Sequence, residues 1–183
     1  MSSYSENLLK TVIDNSEANN WDSAVLEWDI LDCEEDDFNK SSCVCGKENI
    51  KYLYSIINTL NNNVIFPIGS TCITKFERED LNEKTSINEK MFQLLHSIED
   101  GKFISLTSEF FSRKLLTHFY EEGVFQANQY NDFNPEKDYN FMMKMFNKRS
   151  EPTVKQARKV RGIIVAAIKP YLEELLEGKI KRQ

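Results

Sequence analysis

Four cysteines are the residues of this chain best equipped for chemistry, and all four fall within 40 consecutive positions. Cys43-Val44-Cys45-Gly46 is followed by Gly69-Ser70-Thr71-Cys72-Ile73, and Cys33 stands just upstream. Tetrahedral zinc takes four thiolate or imidazole ligands at about 2.0–2.3 Å. Cys43 and Cys45 straddle one residue ahead of a glycine, a knuckle-like arrangement in which backbone N–H groups can point at thiolate sulfur. Cys72 falls in the predicted first turn of a helix, whose dipole favours the thiolate. Cys33 can complete the set from the preceding loop. The expected ligands are therefore Cys33, Cys43, Cys45 and Cys72, with zinc as the cofactor. Two features depart from a common finger. The knuckle spacing is one residue instead of two, and the helix offers one ligand instead of two. A metal-free group of small buried residues and a redox or disulfide role remain the other readings of these residues. His96 and His118 lie outside the cluster and read as packed or surface histidines.

The compartment bears on this choice. Met1-Ser2-Ser3-Tyr4-Ser5-Glu6 has neither a basic start nor a long apolar stretch behind it, so no secretory signal is expected. No apolar run approaches the roughly 20 residues of a membrane span. The expected setting is cytoplasmic, a host cytoplasm, and reducing. Clustered cysteines there bind metal more often than they form disulfides.

The elements that must position the cysteines follow from pattern. Leu8, Leu9, Val12 and Ile13 predict a helix over 6–14 with Ser5 as its cap. Trp21–Leu31 reads as helix passing into strand at Trp28. Glu34–Asp37 reads as an exposed acidic loop. Residues 50–57 and 64–68 are rich in β-formers and flank the turn-forming 58–63, which predicts a hairpin. Pro67 argues for an edge strand. Ser70 is the expected cap of a helix carrying Cys72. From about Ser86 the signals are helical, with starts expected at Thr107 or Ser108, at Asn134-Pro135 and at Ser150. The last helix should be the longest and should kink or split at Pro170. The expected class is α+β: residues 1–80 as a small treble-clef-like zinc module with an N-terminal helix, and 81–183 as a helical bundle.

Cys43-x-Cys45-Gly46, Ile50, Asn58 and Ile68-Gly69-Ser70-x-Cys72-Ile73-x-x-Phe76 together resemble a pattern in small proteins of phages and large DNA viruses. Trp21-x-x-Ala24 and Glu27-Trp28 fit the same pattern. The resemblance covers roughly residues 20–80, about a third of the chain, and implies a viral-type zinc module without implying an activity. In general character the chain also resembles the anti-CRISPR proteins that inhibit Cas9, a group defined by no shared motif.

Charge is unevenly spread along a chain of net charge −6. Residues 1–42 hold two lysines against eleven acids, and residues 148–183 hold ten Lys/Arg against four acids. Such a gradient suits an acidic face for a basic partner and a basic end for phosphate or acid, or simply two solvated faces. Lys155, Arg158 and Lys159 share a helical face, with Lys148, Arg149 and Arg161 near it. Joined by Lys179, Lys181 and Arg182, they are the expected nucleic-acid or partner contacts. No P-loop, GxGxxG, HExxH or GxSxG motif occurs. Glu121-Glu122 and Glu34–Asp37 are the residues that could hold Mg²⁺ in a nuclease, the weakest of the readings. The leading expectation is a non-enzymatic phage or mobile-element protein that binds a host nucleoprotein, most concretely a Cas9–guide RNA complex. The alternative is a zinc-dependent protein that binds RNA or DNA, or regulates.

Overall fold

The computed structural model describes residues 3–181 and shows a mixed helix-and-sheet protein. Arg182 lies outside the described residues. Two compact units are present. The first runs to Ser86 and is rejoined by the chain from Lys179, and the second is Ile87–Gly178.

The first unit is built on a four-stranded sheet of order β3-β2-β1-β4. Strands β1 (Trp28–Asp36), β2 (Tyr52–Asn58) and β3 (Val64–Ile68) are antiparallel neighbours. The β-branched and aromatic side chains of β2 suit a pleated, buried surface, and Leu53, Tyr54 and Ile56 are fully buried. Asn58–Asn63 forms the hairpin turn, and Pro67 lies on edge strand β3. A strand that sits at an edge tolerates a missing N–H. The two-residue β4 (Ile180–Lys181) pairs parallel with Glu35 and Asp36 of β1.

Helix α1 (Ser3–Asp14) buries Leu8 and Val12. It begins before Ser5, so Ser5 lies within the helix and does not cap it. The short α2 (Trp21–Ala24) is capped by Asn20, whose side chain accepts from the Ser23 N–H. A 3-10 turn at Val25–Glu27 leads into β1. Trp28 is fully buried, and its Nε1 donates to Ser16 Oγ at 2.9 Å. Glu27 is buried too and organises the chain around it. Its carboxylate accepts from the N–H groups of Glu17 and Ala18 and from the Asn58 amide.

The acidic run Glu34–Asp37 is not an exposed loop. Its first three residues end β1, and Glu35 and Asp36 are wholly inaccessible. Glu35 pairs with Lys51 at 2.7 Å. Asp36 accepts from the N–H groups of Phe38, Lys40 and Ser41 and from the Ser41 hydroxyl. A buried carboxylate is tolerated when paired or fully hydrogen-bonded. Sequence composition reports the charge and not the donors that fold back onto it.

Helix α3 (Ser70–Ile73) starts one residue earlier than expected, with Gly69 at the cap position and no side-chain cap. Helix α4 (Glu79–Glu99) starts well before Ser86 and is the longest element. Every named element of the second unit is helical. Helix α5 (Arg113–Glu121) is capped by Ser112, not Thr107 or Ser108, so Phe110 and Phe111 precede it. Helix α6 (Pro135–Phe146) starts as predicted, with the Asn134 side chain accepting from the Glu136 N–H. The Tyr120 and Tyr139 rings, from α5 and α6, stack with centroids 4.5 Å apart.

The last helical region opens at Thr153, whose side chain forms a reciprocal capping box with Gln156. It continues as α7 (Val154–Ile163), a π-helical stretch at Ile164–Ile168, and α8 (Lys169–Leu176). The break expected from Pro170 takes this form. The wider π turns lie just ahead of the proline, where its ring would crowd a regular turn. Phe92, Leu95, Phe111, Leu115, Phe119 and Leu172 are buried without remainder.

Candidate metal centre

The Cys43–Gly46 turn is fixed from several directions. The Cys43 N–H donates to the Lys47 carbonyl, and the Gly46 N–H donates to the Cys43 carbonyl, both at 2.8 Å. Gly46 has φ +96°, a conformation that glycine adopts without a Cβ penalty. The Val44 N–H donates to Pro67 of β3, and the Asn7 side chain on α1 donates to the Cys45 carbonyl. Cys72 is brought to the same place by the end of β3 and the turn into α3.

The result is a convergence of three thiols. Ligand atoms of Cys43, Cys45 and Cys72 all lie within 4.8 Å of one another, and all three residues are buried. The Sγ atoms of Cys43 and Cys72 are 3.6 Å apart. Thiolates bound to one tetrahedral ion at 2.3 Å sit about 3.8 Å from each other. The three cysteines could therefore hold a metal ion with little rearrangement. Backbone donors complete the fit. The Gly69 N–H reaches Cys43 Sγ at 3.3 Å, and the Lys47 N–H reaches Cys45 Sγ at 3.4 Å. Such donors favour thiolate over thiol.

Cys33 does not join them. It is buried in β1 opposite Tyr54 of β2, with its thiol directed to the Glu34 carbonyl at 3.9 Å. The strand carries it away from the knuckle that sequence order places beside it. No disulfide joins any of the four cysteines.

The Cys43 and Cys72 thiols titrate as a pair. The Cys43 thiol is pulled down to about 5, chiefly by the hydrogen bond from Cys72, with burial opposing and the Cys45 and Gly69 N–H groups assisting. Cys72 is pushed up, first by that same hydrogen bond and then by burial. A cavity of about 190 Å³ borders Cys43 and Cys72, and Lys47, Lys51, Ser70 and Thr71 also line it.

The basic residues divide. Lys155, Arg158 and Arg161 on α7 and Arg149 before it are exposed. Lys159 instead pairs with the buried Asp138 at 3.2 Å and lies 4.7 Å over the Phe141 ring. Lys148 donates to the Glu151 carbonyl and the Gln156 side chain. In the first unit, Lys179 pairs with Asp32 and Lys181 donates to Ser41, which commits both side chains there. Glu121 and Glu122 belong to no cluster of three metal ligands among the described residues. The Lys47 N–H on Cys45 Sγ is the kind of donor the knuckle arrangement leads one to expect, whereas the Gly69 N–H reaches Cys43 from the end of the hairpin, beyond what the knuckle spacing indicates.

No protein-family model, curated protein or solved structure matches this chain.

Proposed function

We propose that this chain is a zinc-stapled binding protein whose metal holds the first unit together and takes no part in catalysis. The observation that carries this reading is the buried convergence of Cys43, Cys45 and Cys72 on a knuckle turn, a hairpin and a short helix. That order of elements is treble-clef-like. The donor set is all sulfur, which suits zinc among common divalent ions. Three thiolates leave one coordination position for a donor from outside the trio. The second unit is then a helical bundle that presents the protein to its partner.

The partner class is a nucleoprotein or one of its components, and the most concrete case is a Cas9–guide RNA complex. The exposed cations of α7 support this reading. The acidic N-terminal stretch of the chain supports it less, because Glu27, Glu35 and Asp36 are buried in structural roles. Asp29 and Asp32 are paired with Lys84 and Lys179.

Metal analysis of protein purified without chelator tests the staple. About one equivalent of zinc is expected, and less than about a tenth of an equivalent would remove it. Adding the protein to Cas9–guide RNA complexes from several bacteria, and following target cleavage and guide length, tests the partner. Inhibition with intact guide supports a binding inhibitor. No inhibition of any complex leaves the RNA- or DNA-binding zinc protein as the better form of the reading.

A further inference from the structure

Within the second unit a groove of about 460 Å³ runs between the 103–107 segment, the end of α6 and the start of α7. Its walls are mostly hydrocarbon, from Phe103, Leu106, Met145, Phe146, Val154 and Ala157. Phe103 and Val154 are 74% and 78% exposed, high values for large apolar side chains. Three cations, Lys148, Arg158 and Arg161, stand among these walls, and no carboxylate does. Arg158 and Arg161 are exposed, are one turn apart on α7, and have no ion-pair partner among the described residues. A second hollow of about 250 Å³ shares Phe103, Ile104 and Arg161, and Lys102 adds another cation there.

We propose that this groove docks a short acidic, amphipathic segment of a partner protein. The inference rests on the reading of the chain as a binding protein and names the chemistry of what it binds. Apolar side chains of the segment would fill the hydrocarbon floor, and flanking Asp or Glu would meet Arg158 and Arg161. Arginine suits this role, because its planar fork holds a carboxylate through two parallel bonds. Apolar anchors at helical spacing with acidic flanks are a recurrent way for a peptide to enter such a groove. A nucleic-acid backbone would use the cations but would leave Phe103, Leu106 and Val154 without a partner.

A displayed library of random 16-residue peptides, selected against the full chain, tests the proposal. Sequences with apolar residues three and four apart and an excess of Asp and Glu are expected. Their affinity should fall at least tenfold in R158E/R161E and also in A157E, with far-UV spectra unchanged. A labelled 12-nucleotide RNA is run beside them. RNA binding that R158E/R161E abolishes and A157E spares, with no peptide enriched, would overturn the proposal in favour of nucleic acid. A concentration-dependent dimer that A157E dissolves would overturn it in favour of a second copy. Enrichment of basic peptides, or of none, would also overturn it. Zinc content is measured on every variant. Full zinc with no peptide binding sinks the groove alone, whereas absent zinc in the parent protein sinks the staple alone.

Discussion

The sulfur atoms of Cys43 and Cys72 lie 3.6 Å apart although 29 positions separate them in sequence. The β2–β3 hairpin makes this possible. It returns the chain to the knuckle, and the Gly69 N–H at its exit donates to Cys43 Sγ. This juxtaposition gives the four cysteines unequal roles. Substituting Cys43, Cys45 or Cys72 by Ser should abolish metal binding and melt the first unit at lower temperature, because metal binding energy is folding energy. Cys33→Ser should keep about one equivalent of zinc. Elemental analysis and thermal melts of the four variants check this. Equal metal loss in Cys33→Ser would show that the thiol trio is incomplete.

The turn that carries the knuckle should be nearly as sensitive as its ligands. Gly46 has φ +96°, and a Cβ there would meet the Tyr4 ring at 3.6 Å. The contact distance is ordinary, so the penalty is conformational. Gly46→Ala should cost about 1–2 kcal/mol. Competition with a chromogenic chelator should show weaker metal retention than in the parent. Unchanged retention would mean that the turn does not set the ligand geometry.

Asp36 should make stability depend on acid. The Ser41 hydroxyl, against the opposing effect of burial, holds the carboxyl below its ordinary value, and the N–H groups of Phe38, Ser41 and Lys40 assist. A carboxyl lowered in the folded state stabilises fully above its unfolded value, about pH 3.9. That contribution is lost as pH falls through the lower folded value. Glu27 acts in the same direction. Burial pushes it up, but the Asn58 amide and the Glu17 and Ala18 N–H groups together bring it below its ordinary value. Thermal midpoints from pH 7 to pH 2 should fall more steeply for the parent than for Asp36→Asn, which starts lower. Parallel curves would remove Asp36 from the account.

Lys155 and Lys159 share a helical face by spacing but not by environment. Lys159 neutralises Asp138, whose side chain is 8% exposed, while Lys155 is exposed. Lys159→Ala should cost about 1–3 kcal/mol and Lys155→Ala less than about 0.5. Urea unfolding of the two variants measures the difference. Equal costs would mean that the pair with Asp138 contributes nothing.

The hairpin, the edge position of Pro67, the Asn134-Pro135 start and the interruption ahead of Pro170 were legible because each rests on local chemistry. β-Branched runs, a missing N–H and a capping side chain act within a few residues of where they stand. Helix starts were legible less often. Thr107, Ser108 and Ser112 can all cap a helix, and only Ser112 does. Which one is used depends on where Phe111 and Leu115 are buried. The acidic run was misread because charge was visible while its partners were not. Lys51 stands just ahead of Tyr52, the β2 residue opposite Glu35, and Ser41 reaches Asp36 only because the chain turns at 37–40.

Sequence alone determined that cysteine chemistry belongs to the first third or so of the chain, and that helices dominate after it. Cys43-x-Cys45-Gly46 is a local turn, and helical periodicity is a local property. Tertiary structure decided which cysteines meet. Cys33 is closer in sequence to Cys43 than Cys72 is, yet β1 holds it opposite Tyr54 while the hairpin delivers Cys72. It also decided that Ile180 and Lys181 return to β1, and that Arg158 and Arg161 face a groove while Lys159 is spent on Asp138. Spacing along a chain fixes the direction of a side chain from its own element. What that side chain meets depends on where packing places the next one.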